Sequence, residues 1–233
     1  MKKRTIILSV LISAISLITV AQNSNIQPGY VGKKISDFKL QTYQGTELAI
    51  SDLEGKNVLL VFPRGKVMEN IWCGLCMYQY AELAYLEQHE KIRKTYDLEI
   101  VYVLMLDQDS TEQWYKGFPE RLARIEQWKY PADTTNQAVM DWAYFCREAF
   151  PQKFEYTEKT IPRDFPVMMD VDKKVSKAFG LYRYQWDGTM TDQNIPTIFL
   201  LDKDGVIRFK YHSQATQDRP SADYLIEMMD KLL

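Results

Sequence analysis

Trp72-Cys73-Gly74-Leu75-Cys76 stands between two stretches of opposite character. Before it, residues 57–62 read NVLLVF, a short apolar run of the kind that forms a buried strand. After it, residues 77–94 follow a helical pattern, with Cys76, Tyr80, Leu83, Ala84 and Leu86 on an apolar stripe and Glu82, Glu87, Glu90 and Lys91 outside it or at its edge. Two cysteines three apart at a helix start share one face and can close a disulfide. The helix dipole and its free N–H groups favour a thiolate there, so Cys73 is expected to have the lower pKa and to attack, with Cys76 resolving. A zinc half-site would need a second Cys or His pair, and only the unpaired Cys146, His89 and His212 remain. An inert structural disulfide across so short a loop would add little stability.

Outward from this motif the chain alternates strand and helix signals. Residues 38–42 and 47–50 alternate around Gln44-Gly45 and predict a β-hairpin. A helical turn at Ser51-Asp52-Leu53 precedes the core strand, and a long loop, 63–71, joins that strand to Cys73. Residues 98–106 (LEIVYVLML) fit a strand covered on both faces. Asp109 or Ser110 is expected to cap a helix over about 111–128, and a second helix spans about 135–150. Together they form a Trp- and Tyr-rich helical insert over about 108–163. A strand at 165–170, a helix ended by Gly180, a strand at 195–202, a turn at Lys203-Asp204-Gly205, a returning strand and an amphipathic helix at 221–233 complete the pattern. The order predicts an α/β fold with a central mixed sheet flanked by helices.

Met1-Lys2-Lys3-Arg4, an apolar run over 5–20 interrupted by Ser9, Ser13 and Ser16, and small residues to Ala21 predict a cleaved signal peptide over 1–21, with residues 22–30 a poorly ordered lead-in. The run is short for a membrane span, and no second run is long enough. Cleavage leaves 26 basic against 31 acidic residues, a net charge of −5, which argues against nucleic acid as a partner. The expected location is periplasmic or otherwise exported, where a dithiol either oxidises clients or is kept reduced by a redox partner protein.

Strand, Trp-Cys-x-x-Cys, long helix, strand, and later Ile195-Pro196-Thr197 before a hairpin resemble a thioredoxin-like fold. Phe165-Pro166 through Asp170 to Phe179-Gly180, and Asp202-Lys203-Asp204-Gly205-Val206-Ile207, resemble the AhpC/TSA redoxins and their TlpA/ResA-type relatives over residues 31–233, the insert excepted. With the signal peptide, the resemblance leads to the reading of an exported thiol–disulfide oxidoreductase acting on protein disulfide clients through Cys73 and Cys76, a chemistry that needs no metal or organic cofactor. It also implies a cis Pro196 beside Cys73, client binding by the Ile195 backbone, and Trp72 in the client platform. Redoxin peroxidases carry P-x-x-x-T-x-x-C; counting back from Cys73, Asn70 stands at the Thr position and Lys66 at the Pro position. Peroxide reduction is therefore the second reading. A third is a binding module built on the insert, which an exposed aromatic face would favour. Arg64 and Lys66 read as solvated loop charges, Glu69 as a solvated carboxylate rather than a base, and Cys146 as a small buried thiol. Tyr182, Tyr184 and Trp186 read as packing under a loop.

Overall fold

The computed structural model describes residues 26–233, so the expected signal peptide lies outside the described residues. The chain runs β1 (Lys39–Gln41), β2 (Glu47–Ala49), a 3-10 turn (Ile50–Leu53), β3 (Asn57–Phe62), β4 (Lys66–Met68), β5 (Ile71–Trp72), α1 (Gly74–Glu90), α2 (Ile92–Thr95), β6 (Leu98–Leu104) and α3 (Gln108–Lys116). It continues through α4 (Phe118–Lys129), α5 (Gln137–Ala149), β7 (Val167–Met169), α6 (Lys174–Ala178), β8 (Tyr182–Trp186), β9 (Thr189–Asn194), β10 (Thr197–Leu201), β11 (Ile207–His212) and α7 (Ala222–Leu232).

The central sheet has the order β11-β10-β3-β6-β7, antiparallel from β11 to β3 and parallel from β3 to β7. Every residue of β3 is buried, as its continuous apolar run requires of a strand covered on both faces. Leu59 and Val61 join the core under α1, and Val58, Leu60 and Phe62 join the core on the opposite face. The expected α/β fold with a central mixed sheet is thus the one observed. The family-like motifs have local work. The Asp170 carboxylate accepts the N–H groups of Val175 and Ser176 and caps α6, and the Asp202 carboxylate accepts those of Asp204 and Val206 in the β10–β11 turn.

Several boundaries differ from the sequence reading. Lys91, at φ 55°, breaks the long helix into α1 and α2. Asp107, not Asp109 or Ser110, caps α3, its carboxylate accepting the Ser110 N–H at 2.8 Å. The first helix of the insert splits at Gly117, where Pro119 opens α4. Residues 26–30 are held rather than loose: Ile26 packs on the core, Gln27 N–H donates to Ser36 Oγ at 2.9 Å and Lys210 Nζ to Gly29 O at 3.0 Å.

The insert is core. Tyr80 of α1 meets Tyr102, Trp114, Phe118 and Phe165 at ring-centroid distances of 4.9, 5.4, 5.2 and 5.3 Å. Such pairs contribute about 0.5–1.5 kcal/mol each beyond the area they bury. The insert's Trp114 and Phe118 are therefore committed inward, whereas its Tyr130 and Tyr144 stay exposed, at 69% and 59%, so the aromatic face on which a separate binding-module reading depends is reduced to the α4–α5 end of the insert.

Glu82, expected at the helix edge, is half-buried beside α7. Burial, with the nearby Asp223 charge adding to it, pushes its carboxyl up to about 8. The unfolded chain releases this proton near the ordinary 4.5 while the folded chain keeps it to about 8, so stability falls as pH rises between those values. Replacement of Glu82 by Gln is expected to shrink the loss of urea midpoint between pH 5 and pH 8. An identical pH dependence in the variant would contradict a buried, protonated Glu82.

Candidate active site

The motif is set at the end of β3. Pro63, Arg64 and Gly65 leave the strand, and the β4–β5 hairpin intervenes before Cys73, in place of the expected plain loop. Cys73 N–H donates to Gly65 O at 2.9 Å, and Gly65 bridges to Gln193 of β9, so the cysteine is pinned to the sheet end. Cys73 is the N-cap residue of α1, its carbonyl accepting the Met77 N–H at 3.1 Å, and Cys76 lies in the first turn. Both thiols are free, and they are 0% and 2% exposed.

Two arginines converge here. Arg219, from the segment between β11 and α7, places Nη2 3.6 Å from Cys73 Sγ and 3.4 Å from Cys76 Sγ. Arg64 donates its backbone N–H to Cys76 Sγ at 3.3 Å. Burial pushes the Cys73 thiol up, reinforced by its hydrogen bond to Cys76. At Cys76 burial pushes the same way, but the Cys73 hydrogen bond, the Arg219 guanidinium and the Arg64 N–H outweigh it and bring the thiol down. The resting charge of the pair thus sits on Cys76, the reverse of the helix-start expectation. The helix dipole acts on both sulfurs, whereas the donors favour Cys76.

The Arg219 segment is braced from several sides. Gln79 Nε2 donates to Pro220 O at 3.0 Å, Tyr211 Oη to the Asp218 carboxylate, and Ser213 Oγ to Asp218 O at 2.6 Å. Arg64 is itself buried, not a solvated loop charge: Nε donates to Gln193 Oε1 at 2.7 Å and Nη2 to Thr189 Oγ1 at 2.6 Å, and the guanidinium lies 5.5 Å from the Trp186 ring. Trp186 therefore supports the site through the β8–β9 hairpin. Neither arginine forms an ion pair with a carboxylate among the described residues.

Pro196 is not cis; among the described residues every peptide bond is trans. The chain passes extended from β9 into β10, with Ile195 N–H donating to Leu181 O at 2.9 Å and Ser213 N–H to Pro196 O at 2.9 Å. The Ile195 carbonyl also accepts from Thr197 Oγ1 at 3.0 Å, so its backbone is committed internally and not free for a client. Pro196 instead helps anchor the segment that carries Arg219. Trp72 is half-buried, packed on Gly117 and faced by Lys66 Nζ at 5.3 Å. A Cβ at Gly117 would stand 2.6 Å from the indole, so the glycine is what admits the ring. Asn70, at φ 60°, and Glu69 are exposed at the hairpin tip, away from a role as pocket donor or base.

Cys146 is fully buried, and burial pushes its thiol up to about 11. His89 stacks on Tyr85 at 3.9 Å, and His212 Nδ1 is 2.7 Å from Thr197 Oγ1. Among the described residues no three His, Cys, Asp or Glu side chains gather where they could hold a metal.

The model of the AhpC/TSA family matches residues 31–210. Plasmodium vivax 2-Cys peroxiredoxin in its reduced form superposes with a TM-score of 0.52 at 16% identity, covering 87% of this chain and 81% of that one. Mycobacterium tuberculosis AhpC superposes with a TM-score of 0.55 at 14% identity, covering 88% and 93%. At such identities the likeness is one of fold. No curated protein matches the chain significantly in sequence.

The convergence of Arg219 on both sulfurs has a direct consequence. Following thiolate absorbance against pH, the Arg219→Gln variant is expected to need a pH at least about one unit higher for the first ionisation of the pair, the change that loss of one close opposite charge produces. A superimposable titration would show that the guanidinium does not hold the thiolate.

Proposed function

The chain belongs to the AhpC/TSA family of redoxins, and on that premise we propose that it is an exported oxidoreductase that exchanges disulfides with protein clients through Cys73 and Cys76. The observation that carries this reading is a dithiol in the first turn of one helix with both sulfurs on one guanidinium. The pair shares one proton at rest. Its transfer across the hydrogen bond to Cys76 puts the charge on Cys73, the N-cap residue of the helix. The Cys73 thiolate attacks one client sulfur, and the other leaves as a thiolate that takes up a proton. Cys76 then gives up its proton and attacks Cys73 Sγ, releasing the second client sulfur. The client gains two electrons and two protons, and the protein ends with a Cys73–Cys76 disulfide. Since Cys73 has no exposure, the cover to which Arg219 belongs must shift before a client reaches it.

A peroxidase is the second reading, and the burial of both thiols favours it, because a small oxidant needs less opening than a polypeptide. In that cycle Cys73 takes one peroxide oxygen to become a sulfenic acid, the alcohol or water leaves, and Cys76 condenses with the sulfenic acid to expel water. Against it stands the exposed Asn70, which leaves the site without the side-chain donor that a threonine supplies in the peroxidase motif.

Stopped-flow oxidation of the reduced pair is expected to be faster with a protein disulfide than with hydrogen peroxide at equal concentration. The Cys73→Ser variant is expected to lose exchange, Cys76→Ser to accumulate mixed disulfide, and Cys146→Ala to retain turnover. Much faster oxidation by peroxide, with a sulfenic acid trapped on Cys73 in Cys76→Ser, would establish the peroxidase. The exported chain is expected to begin at or near Gln22, and an intact 1–21 segment on it would remove that part of the proposal.

A further inference from the structure

Residues 213–220, between β11 and α7, carry Arg219 and fold back on themselves. The Gln214 N–H donates to the Asp218 carboxylate at 2.7 Å and the Asp218 N–H to Ala215 O at 3.1 Å, while Ser213 Oγ and Arg219 Nη1 each donate to Asp218 O at 2.6 Å. A segment closed by its own hydrogen bonds behaves as one body. Both its ends are anchored: the Ser213 N–H donates to Pro196 O at 2.9 Å, and Gln79 Nε2 to Pro220 O at 3.0 Å. Tyr211 Oη joins Asp218 near the first of these ends. Ser213 and Pro220 are buried, whereas Gln214 and Gln217 between them are exposed.

Between the anchored ends two contacts hold the segment down. One is Arg219 on the two sulfurs. The other joins it to the β8–β9 hairpin: the Thr216 N–H donates at 2.7 Å to the carboxylate of Asp187, in the exposed turn of that hairpin. Among the described residues this is the one hydrogen bond between segment and hairpin. The same hairpin receives the Arg64 side chain on Gln193 and Thr189. The Thr216–Asp187 contact thus ties together the two walls that carry the two arginines, around thiols that are 0% and 2% exposed.

We propose that residues 213–220 are a strap that gates the dithiol, with Asp187 as its latch: a client reaches Cys73 when Thr216 lets go and the strap swings about Ser213 and Pro220. The proposal rests on the disulfide-exchange reading and names what regulates access to its site. An exposed hydrogen bond suits a latch, because it contributes little net stability and its loss changes how often the strap opens rather than the resting structure. The strap also responds to the redox state. In the dithiol form the thiolate holds Arg219; in the disulfide form that charge is gone and the latch at Asp187 is the remaining hold between the ends. The disulfide form opens more often and is presented to a reducing partner, while the reduced pair stays covered between clients. Opening itself makes and breaks no bond to sulfur.

The test uses the full-length mature protein with Asp187→Ala and Asp187→Asn variants. At pH 7, alkylation of the reduced Cys73–Cys76 pair by iodoacetamide is expected to be roughly fivefold faster in Asp187→Ala, the factor that loss of about 1 kcal/mol, the net contribution of one hydrogen bond, makes in the open population. In Asp187→Asn, whose amide oxygen still accepts, the rate is expected to stay within about twofold of the unaltered protein. The thiolate titrations of all three are expected to superimpose, since the closed form still dominates at rest. In the unaltered protein the Thr216 amide is expected to exchange hydrogen at least about threefold faster in the disulfide form than in the dithiol form, with the Gln214 amide, bonded inside the strap, unchanged. Unchanged alkylation in Asp187→Ala, equal acceleration in the two variants, a shifted titration, or Thr216 exchange indifferent to the redox state would overturn the gate. Acceleration of Gln214 along with Thr216 would overturn it too, since the strap would then unravel rather than swing. Reduction of insulin by Asp187→Ala is expected to rise by the same factor of about five; an unchanged rate would overturn the gate and leave the disulfide-exchange reading standing. No reduction of insulin by the unaltered protein would remove the exchange reading, while alkylation and hydrogen exchange still decide the gate.

Discussion

A guanidinium held against two buried sulfurs is the contact on which the rest of this architecture depends. A thiolate in an apolar interior is costly, and so is an unpaired guanidinium. Each compensates the other at Arg219, 3.4–3.6 Å from Cys76 and Cys73. Arg64 adds a backbone donor to the same sulfur and a second buried positive charge nearby. Removing the negative charge, as disulfide formation does, leaves both arginines without an anion. The electrostatics of the pocket therefore favour the reduced state of the pair.

The site is assembled from parts distant in sequence, and the sheet is what brings them together. β3 delivers the Pro63–Gly65 corner, α1 presents the cysteines, and the β8–β9 hairpin receives the Arg64 side chain on Gln193 and Thr189. The segment after β11 arrives last and supplies Arg219. Its position is maintained by hydrogen bonds to α1 through Gln79 and to Pro196, the residue before β10. A thiol pair so enclosed is closed to a polypeptide in this arrangement. The same enclosure makes access the gating event of any reaction at Cys73.

What was legible in the sequence was mainly local. The apolar run of β3, the Cys-x-x-Cys at a helix start and the Asp202–Gly205 turn each carry their physics within a few residues, and each forms where expected. The β8–β9 hairpin was not read, although Asp187-Gly188 is a two-residue turn with φ of 46° and 78° and Tyr182-Arg183-Tyr184-Gln185-Trp186 alternates before it; the run after it, Thr189 to Asn194, is polar apart from Met190 and carries no such pattern. Arg219 left no local trace, because its role follows from tertiary placement 146 residues from Cys73. The cis bond expected at Pro196 came from resemblance alone, and the internal hydrogen bonds of Ile195 and Pro196 hold the extended trans path. The inverted charge between the cysteines was hidden for a related reason. A helix dipole can be inferred from position, but the donors that outweigh it come from elsewhere.

The most direct test of this electrostatic account is the equilibrium of the Cys73–Cys76 couple with reduced and oxidised glutathione, measured for the unaltered protein and for Arg219→Gln. The account predicts that the unaltered disulfide is the more readily reduced, with an equilibrium constant toward the dithiol at least about tenfold larger, a difference of about 30 mV for a two-electron couple. Equal constants, or a variant more easily reduced than the unaltered protein, would contradict it.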